Sequence, residues 1–183
     1  TVLLPAAAGG VGLIARQWLR HLGATVIGTV GSDEKAALAK AHGCAHTIVY
    51  TREDFVEGVR ELTDGQGVPV VYNSVGRATM EGSLDCLRPR GLLVMFGNAS
   101  GAPEPLDLGL LARKGSLFVT RPTLFSYTAT RAELLACADA VFALLRAGTL
   151  EVPVSQRWPL AEVAEAHRAL EARRTRGASI LTL

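Results

Sequence analysis

Ala6-Ala7-Ala8-Gly9-Gly10-Val11-Gly12 decides the fold of this chain. The stretch follows an apolar run over residues 2–4 that ends at Pro5. It precedes Val11, Ile14, Ala15, Trp18, Leu19 and Leu22, which recur at the spacing of one helical face and stop at Gly23. A glycine-rich turn leading from a strand into a helix is the setting of a dinucleotide loop. Gly9 lets the backbone approach a pyrophosphate, and Gly12 lets helix and sheet pack closely. The helix N-terminus adds unpaired N–H groups and a positive dipole. Ala7 occupies the first-glycine slot of GxGxxG, so the generic motif is incomplete. Ala8, Gly9, Gly10, Val11 and Gly12 are the candidate phosphate contacts.

The rest of the chain repeats the same alternation. Strands are expected over 26–30, 47–50, 68–72, 92–96 and 117–119, with helices between them. Continuous apolar runs between amphipathic helices predict a parallel sheet covered on both faces. With right-handed crossovers this is α/β: a doubly wound, six-stranded Rossmann sheet. The pattern changes near 122–126. Thr130 and Glu133 then form a capping box for a long helix with Leu134, Leu135, Ala138, Val141, Phe142 and Leu145 on one face. A helix over 160–170 and a strand over 179–183 follow. The expected division is a dinucleotide-binding domain over 1–125 and a helical segment over 126–183.

The second strand carries the evidence for which nucleotide. An NAD site ends this strand with an acid that holds the ribose 2′-hydroxyl. Here Val30 is followed by Gly31 and Ser32, with Lys35 one turn later. Small residues leave room for a 2′-phosphate and the lysine supplies charge, so NADPH is expected. Asp33 lies past the strand end and is expected to cap the second helix. Thr51 with Asp54 reads as the capping signal of the third. Two more turns fall at the carboxyl ends of strands, where ligands bind in this architecture. Asn73-Ser74-Val75-Gly76 follows the fourth strand and Phe96-Gly97-Asn98-Ala99-Ser100-Gly101 the fifth. Ser74, Val75, Phe96, Gly97 and Asn98 are candidates for ribose and nicotinamide contacts.

Composition removes several other functions. The charged residues leave a net of only +2 and aromatics make up 5%. Neither argues for nucleic acid or an anionic membrane. No apolar run approaches the roughly 18 residues that span a bilayer. Cys44, Cys86 and Cys137 form no CxxC pair, which fits a reducing, cytoplasmic setting. His42, Cys44 and His46 lack a fourth ligand nearby, so no metal is expected. No acid/base dyad is evident. The chain opens with Thr1 directly inside a strand, from which missing upstream sequence is expected.

The residues also resemble a known family. The loop 6–12, Ile27-Gly28-Thr29-Val30-Gly31 with Lys35, and Ser74-Val75-Gly76-Arg77 are similar to the zinc-free quinone oxidoreductases. So are Gly82-Ser83-Leu84-Asp85-Cys86-Leu87, Phe96-Gly97-Asn98 and Lys114-Gly115-Ser116-Leu117 through Arg121-Pro122. This is the zeta-crystallin-like branch of the medium-chain dehydrogenase/reductase superfamily. The resemblance implies hydride transfer from NADPH to a quinone or another small electrophile. It implies that Lys35 and Tyr50 face the 2′-phosphate and that Arg173 reaches the cofactor. It implies a homodimer through the edge strand over 116–120, and an N-terminal catalytic lobe against which 126–183 would pack. Asn73 stands where many relatives have Asp, and Val49 where an Asn is common. Rival readings are an enoyl reductase of the same superfamily and a non-catalytic nucleotide- or RNA-binding protein.

Overall fold

The computed structural model describes residues 1–172 and 174–183. Six parallel strands form the main sheet: β1 (Val2–Leu4), β2 (Val26–Val30), β3 (His46–Val49), β4 (Val68–Asn73), β5 (Leu87–Met95) and β6 (Phe118–Thr120). Their spatial order is β3-β2-β1-β4-β5-β6. The expected doubly wound fold is therefore present, and the direction of winding reverses between β1 and β4.

Side-chain parity explains why both faces are covered. Val2 and Leu4 point to one face with Val26, Val30 and Val49, under α1 (Gly10–His21) and α2 (Asp33–Ala41). Leu3 points to the other with Ile27, Ile48, Val71 and Leu93. That face is closed by α3 (Phe55–Leu62), α4 (Met80–Asp85) and α5 (Leu108–Arg113). Every residue of β1 and β2 is buried, as a central parallel strand requires.

After α6 (Leu124–Tyr127) come α7 (Arg131–Arg146), β7 (Val154–Pro159), α8 (Val163–Glu171) and β8 (Ala178–Thr182). The Thr130–Glu133 capping box on α7 is formed as expected. This part of the chain is not purely helical, because β7 and β8 pair in parallel as a separate sheet. It docks on α1: Gln17 donates to the Glu151 carbonyl at 2.9 Å and accepts from the Glu151 amide at 2.9 Å.

Several expected boundaries shift for local reasons. Ser32, not Asp33, caps α2, its hydroxyl accepting from the Lys35 amide at 3.3 Å. Asp54 rather than Thr51 caps α3, accepting from Val56 and Glu57. β5 begins at Leu87, before Gly91, because Leu87 already pairs with Val68. The expected helix over 160–170 opens with a short 3₁₀ turn at Leu160–Glu162.

The apolar stripe on α1 is only partly covered: Ala15 and Leu19 pack against the core, while Val11 and Leu22 are 62% and 69% exposed. Gly12, Leu13 and Arg16 are buried. The helix is turned so that Gly12 meets the loop before it. Ala15, Trp18, Leu19 and Leu22 line an open apolar groove of about 300 Å³ with Leu4, Tyr72 and Phe96.

Candidate nucleotide site

The candidate residues on the main sheet gather at the carboxyl ends of its strands. In the first loop Ala6 adopts φ 57°, an uncommon conformation for a residue with a side chain. It is held there by the Gly9 amide, which donates to the Ala6 carbonyl at 3.0 Å. Ala8 is buried, while Gly9, Gly10 and Val11 face solvent. Gly9 is the N-cap of α1 and offers no side chain, so no side-chain cap fills the helix N-terminus. The first-turn N–H groups are thus directed at the open end of the sheet. A Cβ on Gly12 would lie 2.5 Å from the Ala6 carbonyl oxygen, so glycine is required for loop and helix to touch. The far end of the chain also reaches this loop. Gly177 forms a bridge with Gly9, and Arg176 pairs with Glu34 on α2.

At the end of β2 the structure brings Gly31, Ser32 and Tyr50 together. A Cβ on Gly31 would lie 2.8 Å from the Tyr50 hydroxyl, so the glycine makes room for the phenol. Thr51 donates to the Gly31 carbonyl at 3.3 Å and fixes the start of the β3–α3 loop there. Lys35 is half-buried on the first turns of α2. Asp33 is paired with Arg52 at 2.7 Å, and that hydrogen bond holds its carboxyl below the usual carboxylate range. An acid is therefore present near this strand end, with its charge matched by an arginine.

The turns after β4 and β5 are laced to each other. Asn73 is fully buried and sits beneath them. Its side-chain oxygen accepts from the Val75 amide at 2.7 Å and the Gly76 amide at 3.2 Å. Its amide nitrogen donates to the Thr79 and Ser83 hydroxyls, both at 2.8 Å. Gly76 adopts φ +93°, and a Cβ there would lie 2.5 Å from the Gly101 carbonyl oxygen. Gly97 is equally constrained: a Cβ would lie 2.6 Å from the Ser74 carbonyl oxygen. Backbone bonds from Ala99 to Ser74 and from Ser100 to Val75 complete the lacing. Ser74, Val75, Phe96 and Gly97 stay half-buried, and Asn98 is exposed at the rim.

Two further residues act here in roles that the sequence did not show. Asn73 read as a ligand-facing turn residue, whereas its side chain points inward. The signal was available, since an Asn followed by small residues is the pattern of an Asx turn. Arg16 gave no signal at all. Arg173, expected at the cofactor, lies outside the described residues. Among the described residues no group of three or more His, Cys, Asp or Glu is placed to hold a metal. Cys44 is buried, and burial pushes its thiol up to about 11. No described helix is long and apolar enough to cross a membrane.

Residues 10–138 match the zinc-binding dehydrogenase family. A quinone oxidoreductase of Pseudomonas aeruginosa is 55% identical over 181 residues, covering 99% of this chain and 56% of that protein. A 2-haloacrylate reductase of Burkholderia sp. is 49% identical and covers 98% of this chain and 54% of its own length. Among solved structures, the Escherichia coli quinone oxidoreductase complexed with NADPH superposes with a TM-score of 0.96. It is 50% identical and covers 100% of this chain and 56% of that one. The chain spans about half the length of the relatives it matches. The resemblance expected from the glycine loop and its partner turns is thus found across the whole chain, which belongs to the zinc-binding dehydrogenase family and has quinone oxidoreductases among its relatives.

Proposed function

We propose that this chain is the NADPH-binding portion of an oxidoreductase that passes hydride from NADPH to a quinone. The observation that carries the reading is the end of β2. The Tyr50 hydroxyl sits where a Gly31 side chain would lie, Ser32 caps α2, and Lys35 adds a positive charge. In this reading the 2′-phosphate meets Ser32, Lys35 and Tyr50, with Arg173 a further partner. The pyrophosphate meets the backbone of residues 8–12. Ser74, Val75, Phe96, Gly97 and Asn98 face the nicotinamide half. NADPH, when bound, supplies the hydride; the residues present orient it and exclude water, which direct hydride transfer needs more than a side-chain base.

The quinone comes from the relatives' names and from the absence of an evident acid/base dyad in the sequence. The same reading divides the chain at residue 125 and has 126–183 packing with an N-terminal lobe. The exposure of Leu124, Phe125, Tyr127 and Phe142, at 71%, 85%, 61% and 55%, supports packing of this region against a further lobe. It also holds the protein to be free of zinc, resting on the spacing of Cys44, Cys86 and Cys137. A cytoplasmic location and no nucleic-acid partner complete it.

The test is titration of NADPH and NADH, followed by quinone-dependent oxidation of NADPH. A charge-assisted hydrogen bond contributes about 1.5–3 kcal/mol. Lys35→Ala should therefore weaken NADPH roughly ten- to 150-fold and leave NADH nearly unchanged. Equal losses for both cofactors would show that Lys35 does not read the phosphate. Running the turnover assay with 2-haloacrylate beside the quinone separates the two relatives' chemistries.

Self-association through β6 is part of the proposal. β6 is the last strand of the sheet, and Phe118 on it is 61% exposed. A lysine on an edge strand blocks pairing with another copy. Phe118→Lys should shift the protein toward monomer in sedimentation, and an unchanged mass would place the interface elsewhere. Leu117 is a poor probe because it is buried in the core.

A further inference from the structure

The buried guanidinium of Arg16 lies beside the glycine loop, and the cofactor reading leaves it unused. Arg16 lies one turn after Gly12 on α1, on the same buried face, and is 0% exposed. All three of its nitrogens donate to backbone carbonyls, and the carbonyls come from separate places. Nη1 reaches Ala7 in the glycine loop. Nη2 reaches Leu38 near the end of α2 at 3.1 Å. Nε reaches His42, the C-cap of α2, at 3.2 Å.

Among the described residues no carboxylate forms an ion pair with Arg16. Its charge is met instead by carbonyls at the negative end of the α2 dipole. Burial lowers its pKa to about 10, so it stays protonated at neutral pH. A planar fork of this kind holds several acceptors in fixed directions, which a lysine ammonium does not.

The arrangement ties the two halves of the adenosine side to one point. Ala7 belongs to the loop whose far end faces the pyrophosphate. α2 carries Ser32 and Lys35 at its opposite end. We propose that Arg16 is a positioning residue that fixes the span between the pyrophosphate loop and the 2′-phosphate end of α2. The proposal rests on the NADPH reading above. A ligand that bridges two subsites gains from a fixed span, because binding at one raises the effective concentration at the other. A ligand held by one subsite alone gains nothing from it.

The experiment compares 2′-AMP, which reaches only the α2 end, with NADPH, which bridges both. Calorimetry is run on the parent protein, Arg16→Met and Arg16→Lys. Met keeps the length and apolar stem but leaves three carbonyls without their donor, so a urea melt first checks that each variant unfolds cooperatively, and the 2′-AMP titration then separates lost span from lost fold. Arg16→Met should weaken NADPH by about tenfold, within the usual range of coupling between sites. The 2′-AMP affinity should stay within about twofold of the parent, since that subsite is untouched. Arg16→Lys keeps the charge and one donor direction, so its NADPH loss should be smaller.

Equal losses of both ligands in either variant would mean that Arg16 only supports the fold, and the proposal fails. Unchanged NADPH affinity in both variants also overturns it. If the parent protein binds 2′-AMP and NADPH no better than AMP and NADH, the cofactor reading itself falls. That outcome is distinct from parent-like variants on a protein that does bind NADPH.

Discussion

Gly12→Val is expected to weaken NADPH binding by roughly 150-fold and to lower stability while leaving the chain folded. A Cβ at position 12 would meet the Ala6 carbonyl oxygen at 2.5 Å and the Ala7 carbonyl carbon and oxygen at 2.8 Å. These are backbone atoms, so no change of rotamer relieves the overlap. The loop has little freedom to retreat. The Ala7 amide donates to Thr29 on β2 at 3.1 Å, and Arg16 holds the Ala7 carbonyl. Overpacking of this kind costs about 1–3 kcal/mol, and the loop must lift off the helix. The N–H groups that would face the pyrophosphate move with it. Charge-assisted hydrogen bonds contribute about 1.5–3 kcal/mol each, and a loss of about 3 kcal/mol is the stated factor. NADPH fluorescence titration beside a urea melt checks both parts. Parent-like affinity would mean that the loop does not carry the phosphates.

That loop was readable from sequence because its glycines are demanded by contacts that any strand-to-helix crossing of this kind makes. The alternation of apolar runs with helices predicted the sheet for a similarly general reason: strands buried on both faces need no polar positions. Legibility ended where a residue's role depends on a partner distant in the chain. Arg16 sits among apolar residues on α1, yet two of its three acceptors lie 22 and 26 positions away at the end of α2, and no local pattern reports them. The stripe Val11 to Leu22 obeyed helical spacing but is only partly covered: Ala15 and Leu19 reach the core, while Trp18 and Leu22 line an open groove. β7 went unread because Val154-Ser155-Gln156-Arg157-Trp158-Pro159 is polar and ends in proline. It is a strand through pairing with β8, about twenty residues later in the chain. The candidate site was legible in its backbone positions and much less so in the side chains that support them.

Asn73→Leu tests the most heavily bonded of those supports and should have the largest effect on stability. Leucine keeps the branched outline of the side chain but is bulkier, so overpacking adds to the loss of the hydrogen bonds. It leaves the Val75 and Gly76 amides without their acceptor, and Ser83, fully buried, without its donor. Each buried polar group left unpaired costs about 1–3 kcal/mol, so three together cost about 4 kcal/mol. For a chain of this size that corresponds to a fall in Tm of about 8–16 °C. The turn that carries Ser74 is tied to Asn73 at two amides, so NADPH affinity should fall as well. Asn73→Asp separates the cause from mere loss of a side chain. A carboxylate still accepts from both amides, and the Thr79 and Ser83 hydroxyls can turn to donate to it. Its thermal unfolding should therefore lie much nearer the parent than that of Asn73→Leu. If the two variants melt together, the bonds to the turn are not what Asn73 contributes, and its burial needs another explanation.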